Sequence, residues 1–234
     1  MRTIIAVTTT RKPMPDRSGS SAICCAICTE LADMNDELKP AYVPRYRNAI
    51  AETLFGGYNP GGKLTVTFPK TIGQIELNFP FKPGSHAGQP GDGPNGYGKT
   101  AVYGALYPFG YGLSYTRFSY GKATLNQPKL NKGEKAILTI PVSNVGQRDG
   151  EEVVQVYICR PDDKGGPQKT LRGFQRVNIA KGKTQNVNIE LPYDSFEWFD
   201  TATNTIRPLS GTYKILYGNS SNENDLQTCS IQIQ

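Results

Sequence analysis

Val153-Val154-Gln155-Val156-Tyr157-Ile158 is the stretch from which the fold follows. Successive side chains on an extended strand point to opposite faces, so residues 154, 156 and 158 share one side and 153 and 157 share the other. Both sides are largely apolar, which predicts a central strand covered from above and below. Short alternating runs separated by turn residues recur around it, at 122–126, 136–143, 152–159, 171–179, 186–191, 197–199, 211–217 and 228–233. About 110 residues carrying seven or eight such strands match one immunoglobulin-like or fibronectin III-like β-sandwich.

Upstream of Gly121 the pattern differs. In Asn48-Ala49-Ile50-Ala51-Glu52-Thr53-Leu54-Phe55, Ile50 stands over Leu54 and Ala51 over Phe55, and Gly56-Gly57 supply a left-handed stop. This predicts a short amphipathic helix. Tyr58-Asn59-Pro60-Gly61-Gly62 must turn, because proline presets the first central φ and glycine accepts a positive second one. Leu64, Val66 and Phe68 then alternate in a half-buried strand over 63–68 that ends at Pro69. Helix, turn and strand read as the incomplete remnant of an α/β layer. Residues 78–100 interleave four prolines with six glycines, forming a long Gly/Pro-rich loop. An aromatic cluster follows, with Tyr97, Tyr103, Tyr107, Phe109, Tyr111, Tyr115, Phe118 and Tyr120. Residues 1–46 read poorly. A strand over 3–9 and a helix over 21–38 are the only elements they suggest.

The 234 residues are 37% hydrophobic and 20% charged, enough apolar material for a packed core. The 26 Lys plus Arg exceed the 20 Asp plus Glu, but they are dispersed, and no stripe exists to displace counterions from a phosphate backbone. Nucleic acid is not expected as a partner. Nor is a membrane, since no apolar run approaches the roughly 20 residues of a spanning helix. The start shows no export signal of basic residues before an apolar run, and localisation is left open. Cys24, Cys25, Cys28, Cys159 and Cys229 lack the paired spacing of a zinc site, so no metal and no cofactor is expected. Cys159 and Cys229 fall in strands and read as small core residues instead of a disulfide.

Two sets of residues are more specific than composition. One joins Ala49-Ile50-Ala51-Glu52-Thr53-Leu54-Phe55-Gly56-Gly57-Tyr58-Asn59-Pro60-Gly61-Gly62-Lys63-Leu64 to Leu106-Tyr107-Pro108-Phe109-Gly110-Tyr111-Gly112-Leu113-Ser114-Tyr115-Thr116-Arg117-Phe118. The other joins Ser143-Asn144-Val145-Gly146-Gln147-Arg148-Asp149-Gly150-Glu151-Glu152-Val153-Val154-Gln155-Val156-Tyr157 to Leu171-Arg172-Gly173-Phe174 and Gly211-Thr212-Tyr213. In this order they closely resemble the C-terminal part of glycoside hydrolase family 3, the β-glucosidases and β-xylosidases, over about residues 48–230. The resemblance implies an α/β-domain remnant plus linker at 47–120 and a fibronectin type III-like domain at 121–234. It also implies β-linked glucosides or xylosides as substrates, and a parent family that is often periplasmic or secreted. In that family a (β/α)8 barrel precedes these domains and carries the aspartate nucleophile, while the α/β domain supplies the glutamate acid/base.

Retaining hydrolysis needs two carboxylates about 5–5.5 Å apart. The family's Ser-Asp-Trp-like nucleophile motif has no match here, since the one tryptophan is Trp198 in Phe196-Glu197-Trp198-Phe199. Just before the helix, Tyr42-Val43-Pro44-Arg45-Tyr46-Arg47 replaces the family's Pro-Gly-x-Glu-x-Gly. No catalytic residue is assigned, and turnover is not expected without a barrel-bearing partner chain. The abrupt join leads to one reading of residues 1–46 as the product of a shifted frame or misplaced start, outside any domain. The alternative function is a non-catalytic module that binds carbohydrate or protein.

The low-specificity candidates for substrate binding are His86, Tyr97 and Lys99, in the loop that carries the single histidine beside amide, hydroxyl and ammonium donors. The aromatic cluster is assigned to packing between the two domains. The acid pairs Glu151-Glu152 and Asp162-Asp163 are expected to be solvated, because neighbours on a strand diverge and Asp162-Asp163 lies in a turn.

Overall fold

A computed structural model describes residues 39–71, 74, 77, 79–81 and 104–234. The strand over 3–9, the helix over 21–38, Cys24, Cys25 and Cys28, most of the Gly/Pro-rich loop, and Tyr97 and Tyr103 lie outside the described residues. Helix α1, Lys39–Leu54, starts earlier than the apolar spacing predicted. It stops where expected: Gly56 takes φ +77° and Tyr58 N–H closes on Glu52 O at 2.9 Å.

Eleven strands follow: β1 Phe118–Tyr120, β2 Thr124–Leu125, β3 Lys129–Leu130, β4 Lys135–Asn144, β5 Gly150–Cys159, β6 Thr170–Ile179, β7 Thr184–Pro192, β8 Glu197–Asp200, β9 Thr205–Pro208, β10 Gly211–Gly218 and β11 Gln227–Ile233. In one sheet β4 is central, with β7 along one side and β1 and β2 sharing the other. The second sheet runs β3-β11-β10-β5-β6, antiparallel except for the β3–β11 pair. Strands β8 and β9 form a separate hairpin.

The two sheets bury one core. Ala136, Leu138, Ile140 and Val142 alternate inward from β4 to meet Val154, Val156 and Ile158 from β5, with Ile215 and Ile231 beside them. Full burial of each Leu, Ile or Val contributes about 1.5–3 kcal/mol, which makes this core the main source of stability. The molecule is mainly β, as the alternation predicted, and β5 is indeed central.

Four readings are corrected. Residues 63–68 are not a regular strand. Among the described residues they pair only with 106–111, where Pro108 and the turn at Gly110 interrupt the ladder. Contact therefore survives at two points: Leu64 with Tyr111 and Gly110, and Phe68 with Leu106 and Tyr107. Leu54 at the end of α1 and Phe55 just beyond it, predicted to share in an apolar face, are 70% and 89% exposed. Cys159 and Cys229 are free thiols, as expected, and Cys229 packs half-buried against the core, where burial pushes its thiol up to about 11, but Cys159 is half-buried outside that core. Neither acid pair is simply solvated. Glu152 is buried, and Asp163 is drawn into a hydrogen-bonded turn.

That turn locks the one tryptophan. Phe196 and Trp198 are buried edge-on against Tyr213, while Phe199, on the opposite face of the hairpin, is exposed. Asp163 accepts hydrogen bonds from the Trp198 indole N–H and from Gly165 N and Gly166 N at 3.0 and 2.9 Å. Partial desolvation opposes its charge, but these donors outweigh it and hold the carboxyl below its usual 3.8. Asp163→Ala leaves a buried indole donor unpaired and is expected to cost about 1–3 kcal/mol. Denaturation followed by the fluorescence of Trp198 reads this directly. The depressed pKa means that the Asp163 contribution is present at neutral pH and disappears as pH falls through the folded value, so the gap between wild type and variant closes in acid.

Candidate functional site

The chemistry-bearing residues of the described chain gather where the 39–115 segment meets the outer face and one end of β5. Two glycine-rich turns make the approach possible. A Cβ on Gly61 would lie 2.9 Å from the Glu151 Cβ, and one on Gly110 would lie 1.9 Å from Gln155 Oε1. Glycine lets the linker backbone lie directly on the strand.

Polar groups then join the two parts. Asn59 Nδ2 donates to Asp149 O at 2.8 Å, and Asn59 Oδ1 accepts from Ser114 Oγ and Tyr115 N. The C-terminal end of α1 is held from both sides: Tyr115 OH donates to Thr53 O at 2.6 Å, and Arg148 Nη1 donates to Gly56 O at 2.5 Å. A cation here complements the negative end of the helix dipole, and the Arg148 guanidinium also lies 5.6 Å from the centroid of the Tyr115 ring. Gln155 Nε2 donates to Gly110 O and Asn219 O, and Gln155 Oε1 accepts from Tyr157 OH. Phe79 stacks on Phe109 at 4.3 Å and meets Tyr157 edge-on. Of the described members of the aromatic cluster, Tyr107, Phe109, Tyr111 and Tyr115 pack this junction, with Tyr107 and Tyr115 keeping exposed faces, whereas Phe118 and Tyr120 pack against the sandwich core.

At the centre is a buried ion pair. Lys63 Nζ lies 2.8 Å from Glu152 Oε1, with side-chain exposures of 13% and 5%. Val153 N–H donates to the same oxygen. Desolvation raises the Glu152 carboxyl above its usual 4.5, and Lys63 pulls against that rise.

Glu152 has the perturbed acidity of a proton donor but not the surroundings. Its neighbour Glu151 points to the other face and pairs with Arg176 at 2.9 Å. The other well-buried acid among the described residues, Asp200, is held at about 2 by Arg207, Thr203 and Ala202 N in the β8–β9 hairpin. Each is bound within its own element or junction. Among the described residues no group of three or more His, Cys, Asp or Glu side chains is placed to hold a metal ion. The substrate-binding candidates His86, Tyr97 and Lys99 lie outside the described residues. Sequence reasoning missed Lys63, Gln155 and Arg148, and only the polar residues interrupting apolar β5 signalled that something covers its outer face.

Residues 41–115 match the glycosyl hydrolase family 3 C-terminal domain, and residues 152–221 match a fibronectin type III-like domain. The chain carries the C-terminal part of glycosyl hydrolase family 3. Within that family it is 42% identical over 189 residues to a xylan 1,4-β-xylosidase of Xylanibacter ruminicola, covering 79% of this chain and 20% of the relative. It is 35% identical over 159 residues to a periplasmic β-glucosidase of Salmonella typhimurium, covering 65% of this chain and 20% of that one. The crystal structure of a Listeria innocua β-glucosidase in complex with glucose superposes with a TM-score of 0.68 at 28% identity, over 79% of this chain and 26% of the other. The chain thus spans about a fifth to a quarter of the length of these family 3 relatives. No described helix is long and apolar enough to cross a membrane.

Proposed function

We propose that this chain is a C-terminal module of a family 3 β-glycosidase of the β-glucosidase or β-xylosidase kind, and that it does not hydrolyse glycosides alone. The observation that carries this reading is the engagement of the buried acids among the described residues. Glu152 is committed to Lys63 and Asp200 to Arg207, whereas a retaining site needs two carboxylates about 5–5.5 Å apart across a sugar-sized space. The proposed division is an α/β remnant and linker at 47–120 and a fibronectin-like domain at 121–234, with 1–46 outside both. A barrel-bearing chain would supply the nucleophile, and β-linked glucosides or xylosides are the proposed substrates of that assembly.

The purified chain is expected to give no release of aryl aglycone from β-glucosides or β-xylosides above a protein-free blank. Robust turnover would overturn the reading.

A further inference from the structure

We infer that the Lys63–Glu152 pair is a register pin, which selects one seating of the 58–63 turn on strand β5 instead of adding strength to it. Taking two charges out of water costs about as much as their attraction returns, so a buried pair is a weak source of stability. What it does supply is a penalty on every arrangement that separates the charges.

The register of β5 shows how complete that penalty is. Glu152, Val154 and Val156 lie on one side, opposite Val177, Gln175 and Gly173 of β6. A slip of the turn by two residues toward Val154 would carry the Lys63 ammonium into the sandwich core, and one toward Gly150 would offer it no counter-charge. A slip by one residue offers Glu151, which is already paired with Arg176 and whose Cβ the turn approaches at Gly61. In each case an ammonium and a carboxylate are left buried and apart. The glycine contacts are less selective. Gly61 lets the turn approach β5 and Gly112 approaches the Gly62–Lys63 backbone through the absence of a side chain, and that absence discriminates poorly between neighbouring positions. The upward displacement of the Glu152 carboxyl agrees with this, since desolvation outweighs what Lys63 returns.

The test is the double variant K63M/E152M, examined by amide NMR alongside K63E/E152K. The double apolar variant is expected to unfold at the wild-type denaturant midpoint or above it. Its Gly61, Gly62, Gly110 and Gly112 amides are expected to split into more than one set, while those of β10 and β11 stay single. The charge-reversed variant is expected to return to one set. One sharp set at all four glycines in K63M/E152M would overturn the inference, as would a midpoint as low as that of K63M alone. Should K63M/E152M fail to fold, K63E/E152K decides: one set with native exchange protection at Gly110 N supports the pin, and several sets refute it.

Discussion

Gly110→Ala is expected to cost about 3–5 kcal/mol and to release the linker from the sandwich. Two separate penalties add at this position. Gly110 holds φ +78°, and a side chain in the left-handed region costs about 1–2 kcal/mol. The new methyl would also lie 1.9 Å from Gln155 Oε1, 2.8 Å from Gln155 Cδ and 2.9 Å from Tyr157 OH. Neither neighbour is free to yield. The Gln155 amide is fixed by Gly110 O, Asn219 O and Tyr157 OH, and both residues are buried. Forcing them aside adds an overpacking cost of about 1–3 kcal/mol and breaks hydrogen bonds under cover. Gly133→Ala provides the control, because Gly133 has φ +84° and a methyl added there would meet nothing within 4 Å. It should lose only the backbone penalty. Equal losses at the two positions in urea denaturation would show that packing on β5 contributes nothing.

The sandwich was legible because its long strands keep a strict period of two. The prediction of 136–143 became β4, Lys135–Asn144, and the prediction of 228–233 became β11, Gln227–Ile233. Strands β1, β3 and β9 were missed because they are two to four residues long, and a period cannot show itself over that length. Phe118 and Tyr120 were counted among the linker aromatics, yet they pack against the sandwich core. The family was legible from the ordered glycine-rich motifs, and the same glycines let the linker lie against β5. What the sequence hid was partnership across distance. An acid in an alternating strand reads as solvated unless its cation is known, and Lys63 lies on another segment altogether. Asp163 was misread for a related reason: its turn looks open until Trp198, from the β8–β9 hairpin, reaches its carboxylate.

Lys63→Met should destabilise the chain by about 3 kcal/mol at pH 8, because removing one partner leaves the other charge buried and uncompensated. The Lys63–Glu152 distance of 2.8 Å and the near-complete burial of Glu152 make this a desolvation effect that salt screens poorly. Its pH dependence identifies the cause. The folded Glu152 carboxyl already lies above its usual 4.5 through desolvation, against the pull of Lys63, and without the ammonium it must rise further. A raised carboxyl favours folding in its protonated form. Its contribution is therefore fully present below the unfolded pKa and is lost as pH rises through the folded value. Acidifying K63M from about pH 8 to about pH 5 lets Glu152 take up a proton in the folded chain, and the deficit relative to wild type should shrink to about 1 kcal/mol. Guanidinium chloride midpoints measured across that range check the trend. A deficit that stays constant, or grows in acid, would mean that Lys63 acts through the packing of its alkyl stem and that Glu152 is not the group left behind. E152Q should show the complementary behaviour. It leaves the Lys63 ammonium without a counter-charge but removes the titrating carboxyl, so the steep recovery on acidification expected of K63M should be absent from E152Q.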